Sequence, residues 1–148
     1  MMQEWAMVVK PAKAGEVFVG RLAHGDDLLD SLTAFCASKK ITLAWVQALG
    51  AVQKARVGYY DQNNKKYEFI DYDRHLEILN LTGNVSVRDG KPMLHAHVTL
   101  ADDRGNAFGG HLAQGTVVFA CEFCVQVLDG SELVREMETQ TGLPLWRA

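Results

Sequence analysis

A chain of 148 residues with 48% hydrophobic and 22% charged side chains has the length and composition of one globular domain, residues 1–148, with apolar content enough for a core. Its net charge of −3 and pI near 5.9 give no basic footprint for nucleic acid, and the doublets Lys39-Lys40 and Lys65-Lys66 read as a helix C-terminus and a hairpin tip. No apolar run reaches the roughly 18 residues of a membrane span, and the N-terminus lacks a secretory signal pattern, so a soluble cytoplasmic protein is expected.

Residues 4–10 predict a first strand, stopped near Pro11, and residues 16–23 a second. Gly25-Asp26-Asp27 starts a helix, with Asp26 as N-cap and acidic side chains at the positive end of the helix dipole. Leu28, Leu29, Leu32, Phe35 and Cys36 form a core-facing stripe at helical spacing, and the helix should end around residues 38–40. Residues 41–46 begin an extended stretch that small side chains continue to residue 52, and residues 56–60 form a strand. A polar turn at residues 62–65 leads into a strand at 67–72. Asp89-Gly90 is a strong two-residue hairpin signal that folds residues 76–87 back on 93–100, which sets Asn84 opposite His95 and Thr82 opposite His97.

The link Asp102-Asp103-Arg104-Gly105-Asn106 has the signature of a three-residue hairpin loop with glycine in the left-handed position. The next strand runs from Ala107 through His111 to a bend at Gly115. Residues 116–128 and 133–137 are further strands, and the tail, residues 140–148 with Pro144, reads as irregular. About eight strands joined mostly by hairpins, with one convincing helix, predict an α+β, mainly antiparallel, barrel-like domain.

The chemistry concentrates in His95-Ala96-His97 and Gly109-Gly110-His111, which hold three of the five histidines. Residues two apart on a strand share a face, so His95 and His97 point the same way. If Asp102 pairs with Asn106, His97 lies opposite His111 and three imidazoles converge. A two-residue turn at Arg104-Gly105 would slip the register and send His111 to the other face. Three histidines with an open fourth position suit a divalent metal such as zinc, or a small anion; the alternative is half-buried rings hydrogen-bonded for structure. His24 and His75 stand apart, the first before the helix and the second in a charged turn.

Cys121 and Cys124 have Cys-x-x-Cys spacing on a strand-like run, where residues three apart face opposite sides. They read as reduced, buried thiols rather than a metal or redox pair. Glu122 is the one candidate general base near the histidines in sequence; it reads equally as a group orienting a ligand histidine or as a carboxylate paired with Arg21. The chain carries no glycine-rich phosphate loop and no nucleophile elbow.

A series of short blocks resembles the PPC ("plants and prokaryotes conserved") domain family over nearly the whole chain. The blocks are Gly20-Arg21-Leu22, Gly25-Asp26-Asp27-Leu28, Leu49-Gly50-Ala51-Val52, Leu81-Thr82-Gly83-Asn84-Val85-Ser86, Gly90-Lys91-Pro92, His95-Ala96-His97, Gly105, Gly109-Gly110-His111-Leu112 and Gly115-Thr116-Val117, ahead of Glu122. The resemblance implies an antiparallel α+β fold with a packed helix, assembled as a homotrimer, here as a solitary prokaryotic-type member. It also implies metal ligands at the histidines that match His95, His97 and His111. Plant members carry AT-hooks and associate with DNA and regulatory proteins. This sequence has no Arg-Gly-Arg core of an AT-hook, which argues against direct DNA binding. Three functions follow as expectations: a trimeric metal- or ligand-binding module with Trp5 or Trp146 available to an interface, a metal-dependent enzyme using the open site, or a DNA-binding regulator.

Overall fold

The computed structural model describes residues 7–147. Nine strands and one helix follow in the order β1 (Ala12–Leu22), α1 (Leu28–Ser38), β2 (Ala44–Asp61), β3 (Lys66–Tyr72), β4 (Leu76–Arg88), β5 (Lys91–Ala101), β6 (Ala107–Leu112), β7 (Val117–Gly130), β8 (Arg135–Glu138) and β9 (Leu143–Trp146). The predicted class holds: the sheets are antiparallel and a single helix packs on them.

The main sheet runs β1-β7-β2-β4-β5-β6, with β3 also on β2. Strand β2 is the organiser. Its first half pairs with β7 on one side and β4 on the other, and its last residues pair with β3. It also meets β6, through Val57 opposite Leu112 and Gly58 opposite His111. The sheet thus curls until β2, β4, β5 and β6 form a ring. Sequence reading split β2 at residues 52–56. The strand instead runs on through register shifts beside Ala48 and Val52, because Gly50 adopts φ +146° there.

Leu28 and Leu32 of α1 are fully buried, each contributing about 1.5–3 kcal/mol of apolar transfer. The N-cap is Asp27 rather than the predicted Asp26: Asp27 has extended backbone and its Oδ1 accepts from the Asp30 amide at 3.0 Å. Asp26 instead accepts from the Ala23 amide at 3.1 Å, closing the turn before the helix.

The N-terminal strand expected at residues 4–10 is corrected in part. Residues 4–6 lie outside the described residues, and residues 7–10 carry no strand. Pairing starts at Ala12, which faces Gly130, the end of β7. The tail expected to be irregular forms β9, which pairs with β8 as a separate two-stranded sheet. Pro144 sits on that short edge strand, where a missing N–H costs least.

The predicted loop between β5 and β6 is present. The Asp102 amide donates to Asn106 O at 3.2 Å, the Gly105 amide donates to Asp102 O at 3.0 Å, and Gly105 has φ +77°. The Asp102 carboxylate accepts from the Arg104 and Asn106 amides at 2.9 and 3.0 Å and fixes the loop. Val98 therefore stands opposite Gly110 and His97 opposite His111.

Candidate metal centre

The register carries the histidines to one place. Ring centroids are 5.1 Å apart for His95 and His97, 5.2 Å for His95 and His111, and 5.6 Å for His97 and His111. One nitrogen from each lies within 4.8 Å of the others. His95 and His111 are half-buried and His97 is exposed. The Tyr67 ring covers His111 at 4.7 Å.

Two glycines make this approach possible. A β-carbon on Gly109 would overlap the Val98 carbonyl oxygen, and one on Gly110 would lie 2.7 Å from Gly58 O. Strand β6 is thus pressed between β5 and β2 where only backbone fits. Sequence reading used the glycines for register alone and missed this role.

The donor set fits a metal. Burial, then the Arg135 guanidinium and the neighbouring His111 and His97 rings, pull His95 down to about 4. Burial and then His97 pull His111 down to about 4. Both rings are neutral at pH 7 and offer lone pairs. The Nδ1 of His111 is buried with no hydrogen-bond partner among the described residues, an orphan that a metal or a bound donor would satisfy.

These depressed values have a consequence for stability. An unfolded histidine titrates near 6.5. Between about pH 6.5 and 4 the unfolded chain takes up protons that the folded chain refuses, so stability is whole above that window and falls as pH falls through it. In chelator, the urea midpoint of the protein should drop between pH 7 and 4.5, and the double variant His95→Gln/His111→Gln should drop less. A wild-type midpoint that stays level across the window would contradict this account.

The histidines form the floor of a cavity of about 910 Å³, walled by Tyr59, Tyr67, Met93 and Leu143 and by two arginines, Arg88 and Arg135. No Asp or Glu among the described residues lines it. The far wall is the β8–β9 hairpin. Tyr60 Oη donates to Thr141 O at 2.7 Å and Lys65 Nζ donates to Thr139 O at 3.0 Å, which pins the hairpin tip over the opening. The hairpin and Arg135 escaped sequence reading. A signal existed: Arg135 interrupts the apolar run of the strand expected at residues 133–137.

Glu122 is not brought to this site. It is exposed on β7, opposite Arg21 and Leu49, three strands from His97 and thus roughly 14 Å away at sheet spacing. It does not line the cavity. Cys121 is buried and Cys124 half-buried, and alternation on β7 turns them to opposite faces as expected. Burial pushes the Cys121 thiol up to about 11. His24 is held by Phe119 O at 3.0 Å and Gln53 Nε2 at 2.9 Å, away from the trio. No helix among the described residues is long and apolar enough to cross a membrane.

Comparison with known proteins bears on the family and the fold. The model of the Plants and Prokaryotes Conserved (PCC) domain matches residues 9–129. A metal-containing protein from Archaeoglobus fulgidus is 44% identical, with a TM-score of 0.91 over 96% of this chain and 100% of that one. A plant- and prokaryote-conserved (PPC) protein from Pyrococcus horikoshii is 34% identical, with a TM-score of 0.90 over 96% of this chain and 98% of that one. The bifunctional protein GlmU of Synechococcus sp. (strain JA-3-3Ab) is 31% identical over 112 residues, which is 74% of this chain. The chain spans only 16% of the length of the curated relatives it matches. With the family model matched over residues 9–129 and TM-scores of 0.91 and 0.90 to those two structures, the chain belongs to the Plants and Prokaryotes Conserved domain family.

Proposed function

We propose that this protein is a homotrimeric module that holds one zinc ion per chain on His95, His97 and His111, with the fourth position open to the cavity. The convergence of three imidazole donors within 4.8 Å carries this reading. The likeness to a metal-containing protein at 44% identity supports it. When bound, zinc supplies a Lewis acid and a water of lowered pKa. The chain's own residues orient and enclose: Tyr67 covers His111, and the β8–β9 hairpin walls the cavity. No carboxylate base lines the cavity among the described residues, so binding rather than acid–base turnover is the reading. A net charge of −3 brings no overall cationic excess that would favour DNA over this reading. The test is elemental analysis of tag-free protein after exposure to zinc. One ion per chain is expected, and none would defeat the reading.

Trimerisation is supported by the outward face of the sheet. Val19, Cys124, Gln47, Thr82, His97 and His111 form one continuous cross-strand row. Val17, Gln126, Trp45, Asn84 and His95 form the next. Val17, Val19, Trp45 and Leu49 are exposed on this face, Val19 at 80%, and this concentration of exposed large apolar side chains supports an interface there. A Val19→Asp substitution on a free surface would change stability by under about 0.5 kcal/mol. Within an interface it buries a charge, so sedimentation should show a trimer of 16.4 kDa chains for wild type and a monomer for the variant. A monomeric wild type would end the trimer proposal. Trp5 lies outside the described residues, and Trp146 is committed to β9, with Arg135 over its ring at 5.2 Å.

A further inference from the structure

Arg135 is 8% exposed, on the wall of the cavity. Its Nε donates to Ser86 Oγ at 2.7 Å, Nη1 to Pro144 O at 3.0 Å and Nη2 to Asn84 Oδ1 at 2.9 Å. All three acceptors are neutral. None of the four ion pairs among the described residues includes Arg135. A guanidinium carries five N–H donors, so one remains on each terminal nitrogen, and two such donors are what a carboxylate takes in bidentate fashion. A buried cation without a counter-charge is costly.

The surroundings add a second cation and no anion. Arg88 lines the same cavity, and its one acidic neighbour, Asp89, lies 3.8 Å away with a side chain 91% exposed. The histidine end of the cavity is close by. Asn84, which anchors Arg135, is directly opposite His95 on the neighbouring strand. The rest of the lining is mainly tyrosine rings, Met93, Leu143 and Leu145, with the neutral polar side chains Gln62, Gln140 and Thr141. A hydrated inorganic ion gains nothing from such walls, whereas an apolar or aromatic body does.

We propose that the cavity binds a small organic carboxylate, its anionic end held by Arg135 with Arg88 alongside and its apolar body lying between the tyrosines and the β8–β9 hairpin, towards the histidines. The placement of the far end rests on reading those histidines as metal ligands; the arginine end does not.

Benzoate, its neutral isostere benzamide and inorganic phosphate serve as probes, titrated calorimetrically into zinc-loaded and metal-free protein. Zinc content is read separately. Benzoate should bind wild type at least about tenfold more tightly than benzamide, and Arg135→Met should weaken benzoate by at least about tenfold while zinc content stays unchanged. Arg88→Met, at a side chain 40% exposed, should leave the fold intact. It should weaken benzoate too, so the proposal stays testable if Arg135→Met does not fold. Benzamide binding as well as benzoate, phosphate binding more tightly than benzoate, or no benzoate binding at all would each overturn the proposal. Protein that takes no zinc yet still discriminates benzoate from benzamide refutes the metal reading and leaves the arginine subsite standing. Zinc uptake without benzoate binding does the reverse.

Discussion

Gly109→Ala should destabilise the protein by roughly 2–4 kcal/mol and abolish zinc uptake in the same step. The added β-carbon overlaps the Val98 carbonyl oxygen and stands 3.0 Å from the Val98 carbonyl carbon and 3.1 Å from Thr99 Cα. All three atoms are backbone, so no side-chain rotation relieves the clash. Strand β5 cannot retreat, because it pairs with β4 along its length. Strand β6 cannot move the other way, because Gly110 already abuts Gly58 and Val57 of β2. The β5–β6 ladder must open at the Thr99–Gly109 pair, two residues from where His97 faces His111, at about 0.5–1.5 kcal/mol per lost hydrogen bond beyond the steric cost. Gly105→Ala is the control. Gly105 has φ +77° but open space around it, so alanine there costs about 1 kcal/mol of backbone strain and leaves zinc uptake intact. Urea denaturation with parallel metal analysis separates the two. Equal effects from both substitutions would show that Gly109 is only another loop-like glycine.

The second large effect is His97→Ala. Its side chain is exposed, so the metal-free variant should unfold within about 0.5 kcal/mol of wild type. Its zinc affinity should fall by more than about 100-fold, since loss of even an outer partner of a ligand costs 10–100-fold. Zinc at about 1,000 times its dissociation constant should stabilise wild type by roughly 4 kcal/mol. At the same concentration it should leave the variant's melting temperature almost unmoved. A variant that keeps wild-type zinc stabilisation would remove His97 from the ligand set.

What could be read in advance was what local chemistry determines. Asp89-Gly90 and the Asp102–Asn106 loop each fix a register within a few residues, and from those two turns the pairing of His97 with Thr82 and His111 follows by counting. What could not be read depended on partners distant in sequence. The β8–β9 hairpin exists because Arg135 reaches Ser86 and Asn84, and Tyr60 and Lys65 hold its tip. Asp27 takes the cap that Asp26 offered equally well in sequence, and its Oδ2 also accepts from the Gly115 amide at 2.7 Å. Glu122 is near the histidines along the chain, but β7 lies across β2 and β4 from β5. Nearness in sequence is informative inside a hairpin and uninformative across a ring.

The three clustered histidines lie on a single hairpin, β5 and β6, joined by one tight loop, whereas ring closure must bring Gly58 to His111 from the far end of β2. Closing the short loop costs little chain entropy and non-local pairings form later. The metal-gathering hairpin therefore belongs to the early part of the folding reaction, and the contact that seals it against β2 to the late part. A metal bound as proposed above would meet three donors already in register during refolding.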